Sequence, residues 1–300
     1  MNLIKQLEFW KNKEFLQDIN EIKEELKKVG HRCYIFNIKN NLIDDIIPVK
    51  DHWKDGKKLK LFKDFVNKIL NKVQLNDCFL VVFLCENHNL KLENELFPYF
   101  VIHRYLESNL LLFPDLFFLE NYDFRNRLQD GSLNKFIEDL NNETSFSEKK
   151  DKIIFRSWNR KYFPLGKNRN EHYDINSQCG GCPTPKEEQH LYKYHLALYQ
   201  RWDTFYYNLL SNSLAVIVRN TQEKYSAFNY ETFYIFYIQD GIHYISCELQ
   251  EVNSIIDKII KLPNIETIVE NSVNLKSILS YENILNDYCQ LFLEYSKMFE

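Results

Sequence analysis

Three hundred residues with a formal net charge of −4 are too many for one ordinary core and suit two domains, while that charge argues against a general nucleic-acid binder. A composition of 45% hydrophobic and 27% charged residues is globular, with no apolar run long enough for a transmembrane segment. Seven cysteines, an odd number, point to reduced thiols in a cytosolic compartment. The opening MNLIKQLEFWKNK lacks the apolar core and small-residue cleavage site of a signal peptide.

Leu7, Trp10, Phe15, Ile19, Ile22 and Leu26 recur at helical spacing and predict one long amphipathic helix ending near Gly30. Cys33 to Ile38 follows as a strand, then a loop carrying Asp51-His52-Trp53. Leu61, Phe62, Phe65, Ile69 and Val73 mark a second helix, and Cys78 to Leu84 is a continuous apolar run typical of a buried parallel strand. Residues 93–112 read as helical, and Pro114 to Leu119 as a third strand closing in Glu120-Asn121-Tyr122-Asp123. This alternation predicts a small parallel sheet flanked by helices. The polar stretch 130–150 holds the domain boundary, giving domains 1–140 and 141–300. Its closing pair Lys149-Lys150, like Lys57-Lys58, reads as a solvated basic face.

Lys152 to Ser157 is a strand that runs into a basic, glycine-containing loop reaching Arg169. Beyond an irregular segment, Asn176 to Pro185, lies the stretch around which the chain is arranged. Apolar Tyr194 to Leu198, polar Gln200 to Asp203, a helical pattern, Ser211-Asn212-Ser213 and apolar Leu214 to Val218 form a βαβ unit. Ligands of such sheets lie beyond the carboxyl ends of the strands, where helix N-termini favour phosphate. Asn229 to Tyr237 reads as a helix and Ile242 to Ser246 as a strand. Val252 to Ile260, Ile265 to Leu275 and the long Tyr281 to Phe299 read as helices. The order of elements predicts an α/β protein of two Rossmann-like domains facing a cleft, with the last helix packing back and tying them together.

Four stretches carry a family likeness: FPDLFFLENYD (113–123), IIFRSWNRKYFPLGKNR (153–169), YKYHLAL (192–198) with SNSLAVI (211–217), and NYETFYIFYIQDGIHYISCE (229–248). In order and approximate spacing they resemble glycosyltransferase family 90. That group holds bacterial lipopolysaccharide-A type transferases, fungal capsule-associated proteins and eukaryotic protein O-glucosyltransferases. The likeness spans about residues 90–299. It implies a GT-B-like fold and an inverting transfer with no cofactor and no obligatory metal. The donor is then a UDP-sugar, glucose or xylose first, bound on the C-terminal domain. The acceptor is a glycan or lipid-linked saccharide of lipopolysaccharide, capsule or another surface glycan, met at the cytosolic face of a membrane with peripheral contact to its surface.

Inverting transfer needs a base for the acceptor hydroxyl and cationic or N–H groups for the leaving diphosphate. From the residues alone Asp123 reads first as a cap on the next element; its match to the family's aspartate makes it the candidate base. Asp115, after Pro114, reads as a turn residue. Arg156, Arg160 and Arg169 form a basic loop after a strand, with the fork-shaped donors that suit diphosphate. The family pattern picks Ser157 and Arg169, with Arg160 as a stand-in for Arg169. Asn212 and Ser213 supply small polar groups near the nucleotide. Glu231 accepts from ribose hydroxyls or, on the plainer reading, opens a helix.

One departure is the segment Tyr199 to Thr204, shorter than the family's and without glycine, in which Arg201 stands in for a missing arginine. It motivates an alternative, a non-catalytic nucleotide- or glycan-binding relative. His243-Tyr244 reads as a packed strand pair. Cys179-Gly180-Gly181-Cys182 has CxxC spacing, with His172 and His190 nearest, yet reads as an ordinary thiol-bearing loop, so no metal site is expected. His52, His88 and His103 form no ligand pattern.

Overall fold

A computed structural model describes residues 3–29, 33–49, 56–84, 96–114, 118–119, 144–156, 165, 167–176, 191–197, 208–223, 226 and 228–300. The chain is mixed α/β with parallel strands in both main sheets. It falls into two compact units, Met1–Ser132 with Tyr281–Glu300, and Leu133–Ser280. Among the described residues no helix is long and apolar enough to cross a membrane.

The first unit is built on a five-stranded sheet of order β2-β1-β3-β4-β6. Its strands are β1 (Cys33–Lys39), β2 (Leu42–Pro48), β3 (Cys78–Phe83), β4 (Phe100–Val101) and β6 (Leu111–Leu112), with β5 (Arg104–Tyr105) between the last two in the chain. The apolar runs of β1 and β3 are buried as their sequences require. The sheet is mixed, however, where an all-parallel one was expected. β1 runs antiparallel to both β2 and β3, and only β3, β4 and β6 are parallel. The cause is the tight turn Asn40-Asn41, with φ of 50 and 60° at the two residues, the backbone that asparagine tolerates and that two-residue hairpins demand. Asn41 locks it, donating to the Leu70 carbonyl (2.8 Å) and accepting from the Leu75 N–H (2.9 Å).

Two helical expectations change. The opening helix is broken: a helical turn ends at Lys11, and a second helix runs Ile19–Val29. Leu16 donates its N–H to the Leu96 carbonyl at 3.0 Å, and Asp18 Oδ1 accepts from the N–H groups of Asn20 and Glu21 (2.8 and 3.0 Å), a fresh N-cap. The expected helix over 93–112 is replaced, in its described part, by the short strands β4, β5 and β6. Backbone pairing dictates this, with Leu111 donating to Tyr99 and Phe113 to Val101, both at 2.8 Å. The third strand accordingly sits at Leu111–Leu112, before Pro114, and 118–119 form a turn.

The helix Gly56–Leu70 buries Phe62, Phe65, Val66 and Ile69, one helical stripe. The C-terminal helix Tyr281–Ser296 belongs to this unit. It buries Ile284, Leu285, Tyr288, Phe292 and Tyr295, and its tyrosines donate to sheet carbonyls, Tyr288 to Leu112 (2.9 Å) and Tyr295 to Phe79 (2.7 Å). Phe113 lies between these helices, with ring centroids 4.7 Å from Phe62, 5.5 Å from Phe65 and 5.9 Å from Tyr288. Gln6, from the opening turn, accepts the Leu112 N–H at 2.7 Å and so blocks the β6 edge.

The second unit carries a six-stranded sheet of order β13-β11-β10-β7-β9-β8. The ranges are β7 Lys150–Arg156, β8 Lys167–Arg169, β9 Tyr173–Asn176, β10 Tyr192–Ala197, β11 Leu214–Arg219 and β13 Ile245–Glu248; β12, Tyr230–Glu231, stands outside this sheet. Within it β13, β11, β10, β7 and β9 are parallel, and β8 alone is antiparallel. β10, the helical turn 208–210 and β11 realise the expected βαβ unit. One sheet face packs Ile153, Tyr194, Leu196, Val216 and Val218 against Val252, Ile255, Ile259 and Ile268 of the helices that follow β13. The predicted helix over 229–237 is instead β12 followed by a 3-10 turn, Phe233–Phe236, and the strand expected from Ile242 begins at Ile245.

Candidate functional site

In an open parallel sheet the ligand crevice forms beyond the carboxyl ends, where the chain stops adding strands on one side and begins on the other. In the second unit the chain starts at central β7, adds β8 and β9 on one flank, then returns to β10, β11 and β13 on the other. The switch therefore falls between β7 and β10. Arg156 is the last residue of β7, and Ser157 and Arg160 follow it in the chain; Arg201 follows the end of β10. Ser157, Arg160, Arg201 and Asp123 lie outside the described residues, as do Asp115, the Tyr199–Thr204 segment, Cys179 and Cys182.

Register adds a residue that the sequence reading missed. Arg156 pairs across with Asn176 on β9, and Asn176 with Lys167 on β8. At about 4.8 Å between strands, the Arg156 and Lys167 backbones stand roughly 10 Å apart along the carboxyl edge. Arg169, by contrast, points the strand count backwards: β8 is antiparallel, so Arg169 pairs with Asp174, two residues short of that edge. Its Nε meets Asp174 Oδ1 at 3.3 Å, and Asp174 Oδ2 accepts from the Tyr192 hydroxyl at 3.1 Å. Arg169 is 57% exposed, so this ion pair is weak, but it gives the residue a place in the sheet. No local signal in a three-residue strand reveals its direction.

Asn212 and Ser213 lie at the opposite end, where β11 begins. Ser213 is buried; it donates to the Tyr192 carbonyl and accepts from Lys149 Nζ, both at 2.9 Å, and Lys149 also donates to the Ser211 carbonyl at 2.5 Å. Asn212 takes φ 51°, a left-handed backbone that asparagine accepts more readily than most residues. Lys149 is only 5% exposed, which corrects its reading as a solvated basic face. A buried ammonium is tolerable where oxygens replace its water, and this turn supplies them.

Glu231 is buried in β12. Its segment is held to the carboxyl end of β11: Asn229 donates to the Asn220 and Glu223 carbonyls (2.6 and 2.9 Å) and accepts the Asn220 N–H (2.9 Å), while Arg219 Nη1 reaches the Tyr230 carbonyl at 3.4 Å. The following 3-10 turn has no acid in its first turn, so Glu231 is not a helix-opening carboxylate. His243 lies in a turn, not in a strand; its Nδ1 accepts the Gln239 N–H at 3.0 Å, and burial lowers its pKa. Among the described residues no group of three or more His, Cys, Asp and Glu could hold a metal. Burial pushes the Cys78 and Cys247 thiols up to about 12, which makes them poor nucleophiles.

The described strands place the end of β7 at the β7–β10 switch, and hold Glu231, on β12, beside the end of β11. No family model matches the chain, and no curated protein matches it.

Proposed function

We propose that the chain is an inverting, metal-independent glycosyltransferase that moves glucose or xylose from a UDP-sugar to a glycan acceptor in surface-glycan synthesis. In this reading two Rossmann-like domains face a cleft, with the donor on the second unit. The observation that carries the reading is the coincidence of the candidates with the topological switch: Arg156 closes one bordering strand, with Ser157 and Arg160 next in the chain, and Arg201 comes after the other. Arginine forks and the Lys167 ammonium serve the diphosphate, whose charge grows as the bond from the anomeric carbon to its oxygen breaks. Glu231 accepts from the ribose. Asp123 takes the proton of the acceptor hydroxyl as that oxygen attacks the anomeric carbon from the far side. Asn212 and Ser213 have no part in the proposal, because their turn lies at the amino end of β11.

The test is binding first, then turnover. UDP, UDP-glucose or UDP-xylose at a hundred times its dissociation constant is expected to stabilise the fold by about 2.7 kcal/mol, seen as a raised Tm, and labelled sugar should be released or transferred. No shift with any of the three sinks the reading. A shift without turnover on any acceptor favours the non-catalytic relative that the altered 199–204 segment suggests.

The register makes a sharper distinction between two neighbouring cations. Lys167→Gln is expected to weaken UDP binding about tenfold, the value of one charge-assisted hydrogen bond. Arg169→Gln should change it by about twofold or less, since an exposed ion pair contributes little. Isothermal titration of the two variants in low salt decides; the reverse order would return the diphosphate to Arg169.

A further inference from the structure

We propose that the turn 239–246 is a pH-sensitive clasp at the entry to β13, closed while the His243 imidazole is neutral and released at its Gln239 end when the ring is protonated. The proposal stands apart from the sugar-nucleotide reading. β13 ends the strand order of the six-stranded sheet, with Ile245 opposite Val216 of β11. The segment leading into it is tied at both ends. At its start the Asn229 amide, which does not titrate, donates to the Asn220 and Glu223 carbonyls. At its finish the Gln239 carbonyl accepts the N–H groups of Ile242 and His243 (3.2 and 2.9 Å), and Gly241, at φ 74°, donates to the Tyr244 carbonyl (2.8 Å). Asp240 accepts the Ser246 N–H at 3.0 Å and the Ser246 hydroxyl as well. The Gln239 N–H goes to His243 Nδ1, also at 3.0 Å.

That last bond has one direction. A backbone N–H can only donate, so Nδ1 is the unprotonated nitrogen and the ring is neutral. A proton on Nδ1 would set two donors against each other, and the ring must then swing away and leave the Gln239 N–H to water. The ring is only half-buried, so the imidazolium gains hydration by leaving. Burial is the largest influence on His243 and lowers its pKa; a bond that only the neutral form can make favours that form. The charged groups around the turn and its strand are Asp240, Glu248, Glu251 and Lys258, all of which act on the Cys247 thiol of β13. Among the described residues no charge joins burial and the Gln239 bond in acting on His243. With the folded value below the usual ~6.5, the clasp has its full strength above that pH and weakens as pH falls from there through the folded value. The Asp240 bonds do not involve the imidazole, and Ile238 and Tyr244 on either side are buried, so the release is confined to the turn.

Amide exchange of the full chain, read by mass spectrometry over 238–246 and corrected for the intrinsic effect of pH, tests the clasp. Wild-type protection there should fall about tenfold from about pH 7.5 to about pH 5.5, the span set by one unit of imidazole titration. His243→Asn puts an acceptor that does not titrate, Oδ1, where Nδ1 was, and should keep its protection at both pH values. His243→Leu offers no acceptor and should be weakly protected at both. Protection over β11, Leu214–Arg219, should be the same throughout. Equal wild-type protection of the turn at the two pH values overturns the proposal, as does a tenfold loss in His243→Asn or a His243→Leu turn protected like wild type at about pH 7.5. A loss in β11 as large as in the turn would make the effect global and overturn it too.

Discussion

Phe113→Ala is expected to destabilise the first unit by about 4 kcal/mol, near the middle of the range for a fully buried phenylalanine, and to lower its Tm by roughly 12 °C. The ring is wholly buried and touches two helices of the unit, Gly56–Leu70 and Tyr281–Ser296, stacking on Phe62 and meeting Phe65 and Tyr288 edge-on or tilted. Phe100 and Phe292 close the cluster at 5.8 and 6.1 Å. Two of the neighbours are held against collapsing into the hole, Tyr288 by its bond to Leu112 and Phe100 by its place in β4. Phe113→Leu should retain more than half of the lost stability. Urea unfolding followed by tyrosine and tryptophan fluorescence measures both; a loss below about 1 kcal/mol for the alanine variant would mean that the cluster is not packed as described.

Asp123→Asn is expected to lower sugar transfer about a thousandfold, within the span attributed to a positioned general base, while UDP affinity stays within about twofold. Asparagine keeps the shape of the carboxylate and removes its capacity to take a proton, so the acceptor hydroxyl must attack unassisted. The competing reading, an aspartate capping the next element, predicts another pattern. There the change leaves stability nearly unaltered, because asparagine caps a helix about as well as aspartate, and it leaves transfer per folded molecule unaltered too. Radiolabelled donor turnover beside a melting curve separates the two, and full activity in the asparagine variant removes Asp123 from the chemistry.

What could be read from the residues follows from how far apart the deciding groups lie. β1, β3 and the β10–β11 unit were legible because their burial is written in continuous apolar runs. The break before Ile19 was not, since it depends on Leu16 finding a carbonyl at Leu96, far along the chain. β2 was overlooked because it is an edge strand, half-exposed and carrying Asp44 and Asp45, residues that guard an edge rather than announce one. Lys149 looked solvated beside Lys150 until the Ser211–Ser213 turn closed over it. At the candidate site, composition pointed to the basic loop after β7, but only strand direction could bring Lys167 to the same sheet edge as Arg156, across β9, and set Arg169 back.

Because Tyr281–Glu300 is part of the first unit, that unit cannot be completed as it emerges from the ribosome. Residues 133–280 must be translated first, a wait on the order of ten seconds at usual elongation rates. During that wait Phe113 has the helix Gly56–Leu70 on one side only and the Phe79 carbonyl lacks its Tyr295 hydroxyl, and a nascent chain in this state is a natural client for holding chaperones. A premature stop before Tyr281 would therefore injure the residues made earliest, while the second unit could still close.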